Sequence, residues 1–269
     1  MKIATFNING VKARIATLLD WLDRSEADAV LLQEIKSVDE AFPRAEIEDR
    51  GWNVETHGQK GFNGVAILSR SPLEDVTRGL PGDDGDEQAR WIEGTLVGET
   101  HAVRLCGLYL PNGNPVEFDA GGRPERTGKY GYKLDWMDRL HARAAALMAA
   151  EAPAVLAGDY NVIPQAEDAA KPAQWETDAL FLPDTRMAFR RILNLGFTEA
   201  FRARHRGPGH YTFWDYQAGA WDKNNGIRID HALLTPEAAD LLRDVGIDRE
   251  ERGREKPSDH VPLWIDLAA

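Results

Sequence analysis

Carboxylates, amides and one imidazole recur just past short apolar runs of the chain. Asn7 follows Ile3-Ala4-Thr5-Phe6, Glu34 follows Leu31-Leu32-Gln33, and Asp159 and Asn161 follow Val155-Leu156-Ala157-Gly158. Asp230 follows Ile227-Arg228-Ile229, Asp259-His260 precedes an apolar C-terminal run, and Tyr109 lies near the end of another run. Singly, each has an ordinary structural account: Asn or Asp after a strand is turn chemistry, and Glu34 could cap the segment that follows it. Together they form an oxygen-rich set with no thiolate and a single His, which suits a hard cation such as Mg²⁺ or Mn²⁺ better than zinc. Oxygen ligands and one His at strand ends describe metal-assisted phosphate chemistry, in which the ion polarises a phosphoryl oxygen and steadies the leaving group.

The elements that must position these groups are legible as apolar runs. Residues 3–6, 29–32, 65–68, 103–110, 154–157, 229–234 and 263–267 read as buried strands. Leu134, Met137, Leu140, Ala144 and Leu147 recur at the spacing that lines one helical face, and Pro153 closes that helical region. No linker, repeat or composition shift divides the chain, so one α/β domain over residues 1–269 is expected. Three polar stretches rich in Gly and Pro, residues 112–128, 164–183 and 205–226, read as long loops, which in a compact domain are more often functional than idle.

Composition narrows the setting. Cys106 is the sole cysteine, so neither an internal disulfide nor a cysteine-based metal site can form, and a reducing cytosol fits best. The N-terminal apolar run is too short for a signal-peptide core, and no run approaches the ~18 residues of a membrane span. A cytoplasmic, soluble monomer is expected, with no membrane partner. The formal net charge of −12 argues against a polyanionic partner. Binding depends on the local field, however, and Arg123, Arg126, Lys129 and Lys133, with Arg202, Arg204 and Arg206, are bunched as a basic contact face would require.

The ordered motifs Asn7-Ile8-Asn9-Gly10, Leu32-Gln33-Glu34, His57-Gly58-Gln59-Lys60-Gly61, Tyr109-Leu110-Pro111, Gly158-Asp159-Tyr160-Asn161, Arg228-Ile229-Asp230 and Pro257-Ser258-Asp259-His260 run almost the length of the chain. This set resembles the exonuclease III family of abasic-site endonucleases, within the endonuclease/exonuclease/phosphatase superfamily. The resemblance implies a DNase I-like, four-layered α/β sandwich: two mixed sheets packed face to face, helices outside, and the site at one end of the sheets.

It also implies a role for each matching residue. Glu34 would be the principal metal ligand, with Asn7, Asp259, Asp159 and Asn161 close to the ion. Asp159 would orient or deprotonate the attacking water, Asn161 would hold the phosphate, and His260, paired with Asp230, would bind the scissile phosphate. Tyr109 would contact or protonate near that phosphate, and Asn112 would touch it from its loop. Asp230 should favour the charged ring of His260. Asp159, Tyr109 and a hydroxide on the ion are three candidates for taking the proton from water.

Residues matching Phe213, Ile227 and Ile229 would line an apolar pocket for a base-less sugar rotated out of the helix; Trp214 beside them is a candidate substrate contact, although core packing is the favoured reading for it and for Tyr216. A nucleotide without its base has little stacking to lose, and a narrow apolar pocket excludes one that keeps it. Asn112 stands where some family members carry Gln, and residues 121–131 have no firm counterpart in the family. His57, His101, His141, His205, His210 and His231 are scattered and are assigned no chemistry, and the acidic stretch from Asp83 to Glu87 reads as a solvated turn.

The expected substrate is therefore double-stranded DNA with abasic sites or blocked 3′ ends, cut 5′ to the abasic site, with 3′–5′ exonuclease and 3′-phosphatase or 3′-phosphodiesterase activities alongside. The nearest alternative is a phosphatase or phosphodiesterase of the same superfamily acting on another phosphate ester. A non-catalytic DNA-binding relative is opposed by the competent side chain at every position the chemistry requires.

Overall fold

The computed structural model describes all 269 residues. In chain order the elements are β1 (Lys2–Asn7), α1 (Ile15–Arg24), β2 (Ala29–Gln33), α2 (Arg44–Glu48), β3 (Asn53–His57), β4 (Val65–Ser69), β5 (Glu74–Arg78), β6 (Trp91–Val97) and β7 (Ala102–Tyr109). They continue as α3 (Gly128–Ala149), β8 (Ala154–Asp159), α4 (Pro183–Leu193), β9 (Thr198–Glu199), α5 (Ala200–Arg204), β10 (Asp230–Leu234), α6 (Pro236–Asp240), β11 (Leu242–Ile247) and β12 (Leu263–Leu267).

The strands form two six-stranded sheets, ordered β11-β12-β1-β2-β4-β3 and β5-β6-β7-β8-β10-β9. Both are mixed, because β1/β2 and β7/β8 pair parallel while their other neighbours pair antiparallel. Strand side chains alternate between faces, so a strand covered on both sides must be apolar throughout. In β1, Ile3 enters the core between the sheets while Ala4 and Phe6 face α1. In β8, Val155 and Ala157 face the other sheet while Leu156 meets the buried stripe of α3. Leu134, Met137, Leu140, Ala144 and Leu147 form that stripe, as their spacing predicts. The result is the expected four-layered α/β sandwich of helix, sheet, sheet and helix.

All seven apolar runs fall on strands, but β3, β5, β6, β9 and β11 lie outside them. All five carry charged residues; β5 (Glu-Asp-Val-Thr-Arg) is an almost wholly exposed edge strand. β6 is central but carries Glu93, buried against Arg104 and Arg143, and this charge interrupts its apolar pattern.

Register brings the motif residues to one pole. Asn7 pairs with Gln33, the residue before Glu34. Tyr109 pairs with Asp159, which pairs on its other side with Asp230. Gly158 is required for this alignment, since a Cβ there would lie 1.9 Å from the Leu108 carbonyl oxygen. The three long loops cluster at the same pole and are partly structured. Phe118 bridges Pro124 in the first, short 3₁₀ turns occupy the second, and Phe213 of the third bridges both Ile227 and His260. No helix is long and apolar enough to cross a membrane.

Candidate active site

Asn7 ends β1 with its side chain fully buried, and its amide joins the two sheets. Asn7 Nδ2 donates to Glu34 Oε1 at 3.0 Å and to Asp159 Oδ2 at 2.9 Å. Its oxygen accepts the backbone N–H of Asn9. Glu34 follows β2 with a left-handed backbone (φ 49°), a conformation that costs a non-glycine residue energy and turns its carboxylate back toward Asn7. Burial works to raise the Glu34 pKa, but Asn7 and Lys36 outweigh it and keep the carboxylate below its ordinary range. Lys36 Nζ lies 2.8 Å from Glu34 Oε2 and 2.5 Å from Asn9 Oδ1, while Asn9 Nδ2 donates to Asp259 Oδ1 at 2.9 Å. Asp259 is thus linked to Glu34 through Asn9 and Lys36 rather than directly.

His260, in the segment before β12 of the first sheet, lies between two carboxylates carried by β8 and β10 of the second. Its Nδ1 is 2.8 Å from Asp230 Oδ2 and its Nε2 is 3.6 Å from Asp159 Oδ2. Desolvation opposes charge on this ring, yet Asp230 and Asp159 dominate and push its pKa up to about 10. Burial is the main influence on Asp159 and raises its pKa; Asp230 adds to the rise, while the His260 imidazolium and bonds from Asn161 and Asn7 oppose it. Tyr109 donates its hydroxyl to Glu34 Oε1 at 2.9 Å. Burial, with Glu34 and Asp159 nearby, pushes the phenol well above its ordinary value, so it stays neutral and a donor.

Two amides complete the cluster. Asn161, also left-handed (φ 47°), donates its backbone N–H to Asp159 Oδ1 and its side-chain amide to the Leu110 carbonyl. Asn112 is exposed and donates to Asn161 Oδ1 at 3.2 Å. The structure therefore brings Asn7, Glu34, Tyr109, Asp159, Asp230 and His260 into one connected cluster, with Asn112 and Asn161 beside it. Phe213 meets His260 edge-on with ring centroids 5.0 Å apart. Ile227 and Ile229 are each 2 % exposed, in a cluster with Ile163, Ala169, Leu180 and Phe181 against which Phe213 packs. Only Phe213 of the three offers much open surface.

Several expectations need correction. Trp214 is not a substrate contact: it is fully buried among Tyr211, Ala220 and Val261, and its indole N–H donates to Asn224 Oδ1. The alternation that exposes Phe213 turns Trp214 inward. The two basic clusters are also largely engaged internally. Arg126 binds Asp135 and Asp138, Lys133 is fully buried, and Arg202 binds Asp168. In the acidic stretch, Asp86 accepts from Tyr132 and pairs with Arg139 instead of standing in solvent.

Sequence reasoning missed Asn9, Lys36 and Arg90. Asn9 and Lys36 lie two residues beyond Asn7 and Glu34, a spacing that could have marked them. Arg90 gave no local signal: it stacks over the Tyr109 ring at 4.8 Å and donates to the Tyr109 carbonyl from the position just before β6. His231, assigned no chemistry from the sequence, is buried and bonded to Arg228 and the Val162 carbonyl.

The donor set is compatible with a hard cation. Asp159, Asp230 and His260 present ligand-capable atoms within 4.8 Å of one another, an acidic cluster that could hold an ion. The ring itself, held as imidazolium, has no lone pair to offer, so the oxygen donors around Glu34 are the better fit. A surface cavity of about 650 Å³, lined by Met1, Asp28, Arg70 and Arg243 among others, lies at the opposite pole and gathers no comparable set.

A two-sheet sandwich with carboxylates, amides and an imidazolium at one end defines a hydrolytic enzyme class that handles phosphate esters. Residues 4–260 match the model of the Endonuclease/Exonuclease/phosphatase family. The chain is 32 % identical to exodeoxyribonuclease III of Haemophilus influenzae, over 99 % of this chain and all of that one. Among solved structures it is similar to an AP endonuclease from Archaeoglobus fulgidus, with a TM-score of 0.90 at 35 % identity and full coverage of both chains. It is likewise similar to the 3′ phosphatase NExo from Neisseria bound to product DNA hairpin, with a TM-score of 0.92 at 34 % identity and full coverage of both chains. The chain belongs to the Endonuclease/Exonuclease/phosphatase family and is a hydrolytic enzyme of it.

Proposed function

We propose that this protein is a DNA repair nuclease that uses a divalent ion to hydrolyse the phosphodiester 5′ to an abasic site in duplex DNA. The observation that carries the reading is the joining of Glu34 and Asp159 through the Asn7 amide, with His260 held charged beside them. The exodeoxyribonuclease III and AP endonuclease relatives support the substrate, and the Neisseria relative supports accompanying activity at blocked 3′ ends.

In this reading Glu34, Asn7, Asp259, Asp159 and Asn161 would hold the metal, Mg²⁺ with Mn²⁺ as a substitute. Once bound, the ion would polarise a phosphoryl oxygen and stabilise charge on the leaving oxygen. His260 donates from Nε2 to a non-bridging phosphate oxygen, where a positive donor is worth most as negative charge grows. Asp159 orients the attacking water and takes its proton as the new P–O bond forms and the P–O3′ bond breaks. Tyr109, being neutral, serves as a donor near the phosphate and not as the base. Asn112 and Asn161 hold the phosphate with their free amide hydrogens. Phe213, with Ile227 and Ile229 as the floor behind it, accepts the base-less sugar.

The same proposal takes residues 1–269 as one domain, supported by a core cluster that draws on both sheets. It takes the protein as a cytoplasmic monomer. A competition assay between an abasic duplex and an inositol phosphate tests the substrate. Turnover of the abasic duplex at least ~100-fold faster is expected, and equal or faster turnover of the inositol phosphate would overturn the reading.

A further inference from the structure

Lys133 is a fully buried lysine that the chemistry above does not use. It projects from α3 beneath the site, and its Nζ donates to the Asn112 carbonyl at 3.0 Å and to the Asn161 carbonyl at 2.6 Å. These carbonyls belong to two separate loops, one after β7 and one after β8. Both loops have unusual backbones: Asn161 is left-handed, and Gly113 (φ 92°) lies so close that a Cβ there would meet Lys133 Cδ at 2.7 Å. A buried carbonyl without a partner is costly, and so is a buried ammonium, so the two requirements are met by one another.

We infer that Lys133 is a positioning residue that ties the Asn112 and Asn161 loops together and so fixes the two amides that face the phosphate. The amides are already bonded to one another, with Asn112 Nδ2 donating to Asn161 Oδ1. Asn161 passes the constraint to Asp159 through its backbone N–H. Asn114 reinforces the first loop by donating to Asn112 Oδ1 and Asp178 Oδ1. Protonated or neutral, the lysine nitrogen has the two N–H groups these carbonyls need, so the role does not depend on its charge.

The inference rests on the functional reading above, and a double-mutant cycle separates the two. Lys133→Met keeps the stem and removes both donors; Lys133→Gln keeps a donor and serves if the Met variant does not fold. Each is compared with the parent, with Asn161→Ala and with the double variant, on an abasic duplex and on bis-p-nitrophenyl phosphate, below the melting temperature of every variant. Loss of Lys133 is expected to lower kcat about 10-fold with KM changed less than about 3-fold, and to cost less than about 2-fold in the Asn161→Ala background. Parent kcat in the variant, a change in KM alone, or the same 10-fold loss in both backgrounds would overturn the inference. If the parent left the abasic duplex uncut, the functional reading would fail, and the cycle on the generic diester would still decide the role of Lys133.

Discussion

Asn7 Nδ2 stands 2.9 Å from Asp159 Oδ2, although 152 positions separate the two residues in the chain. The bond crosses from the last residue of β1 in one sheet to the last residue of β8 in the other. Because the same nitrogen also donates to Glu34, Asn7 sets the spacing of two carboxylates that would otherwise repel each other. Asn7→Ala is expected to lower kcat at least ~100-fold, with a raised metal requirement. A metal titration of activity checks this, and an unchanged half-saturating metal concentration would argue against the bridge.

Asp159 and His260 act on the reacting atoms in this account, not on DNA affinity. Asp159→Asn or His260→Ala should lower cleavage at least ~100-fold while leaving duplex binding largely intact. Fluorescence anisotropy beside a single-turnover assay separates the two effects; comparable nicking by variant and parent would remove these residues from the mechanism.

Asp230 determines the charge of His260. With its pKa raised to about 10 from 6.5, the ring stabilises the fold below pH 6.5, and that contribution is lost as pH rises through about 10. Asp230→Asn removes the nearer carboxylate, and the His260 midpoint should fall by more than about 1 unit. Ring ¹⁵N shifts followed against pH in EDTA give the answer directly, and an unmoved midpoint would contradict the pairing.

The strand ends and the carboxylates on them were legible in the sequence, because a strand covered on both faces must be continuously apolar and its polar successor marks its end. The joining of Asn7 to Asp159 was not legible: it depends on which strands lie in which sheet, and periodicity carries no such information. The sequence leaves Trp214 between a core role and a substrate contact for a related reason. Its segment is rich in aromatic residues, and only the bridges of Phe213 to Ile227 and His260 decide which ring faces out. The basic clusters misled because a charge count does not show partners: Arg126 pairs with Asp135 and Asp138 on the following helix and Arg202 with Asp168.

As a core residue, Trp214 should matter to stability alone. Trp214→Ala should destabilise the fold by about 3–5 kcal/mol, with kcat and KM per folded molecule near the parent values. Denaturant unfolding with kinetics at low temperature tests both halves, and a stable variant with a raised KM would return Trp214 to the substrate face.

Glu199 anchors a buried network in which Arg228 also binds Asp168. Burial works to raise the Glu199 pKa, but Arg228 and His231 hold it down to about 2 against an ordinary 4.5. The depressed value means its stabilisation is complete above about pH 4.5 and lost as pH falls toward 2, roughly 3 kcal/mol in all. Acid titration of stability in the parent and Glu199→Gln should diverge above pH 4.5 and converge near pH 2; parallel curves would contradict the network.

The most direct measurement maps the ends produced from a 5′-labelled duplex carrying one abasic site, with Mg²⁺ and then with EDTA. The account predicts a single incision immediately 5′ to the site, leaving a 3′-hydroxyl, in Mg²⁺ only. An intact duplex in Mg²⁺, or the same incision in excess EDTA, would contradict it.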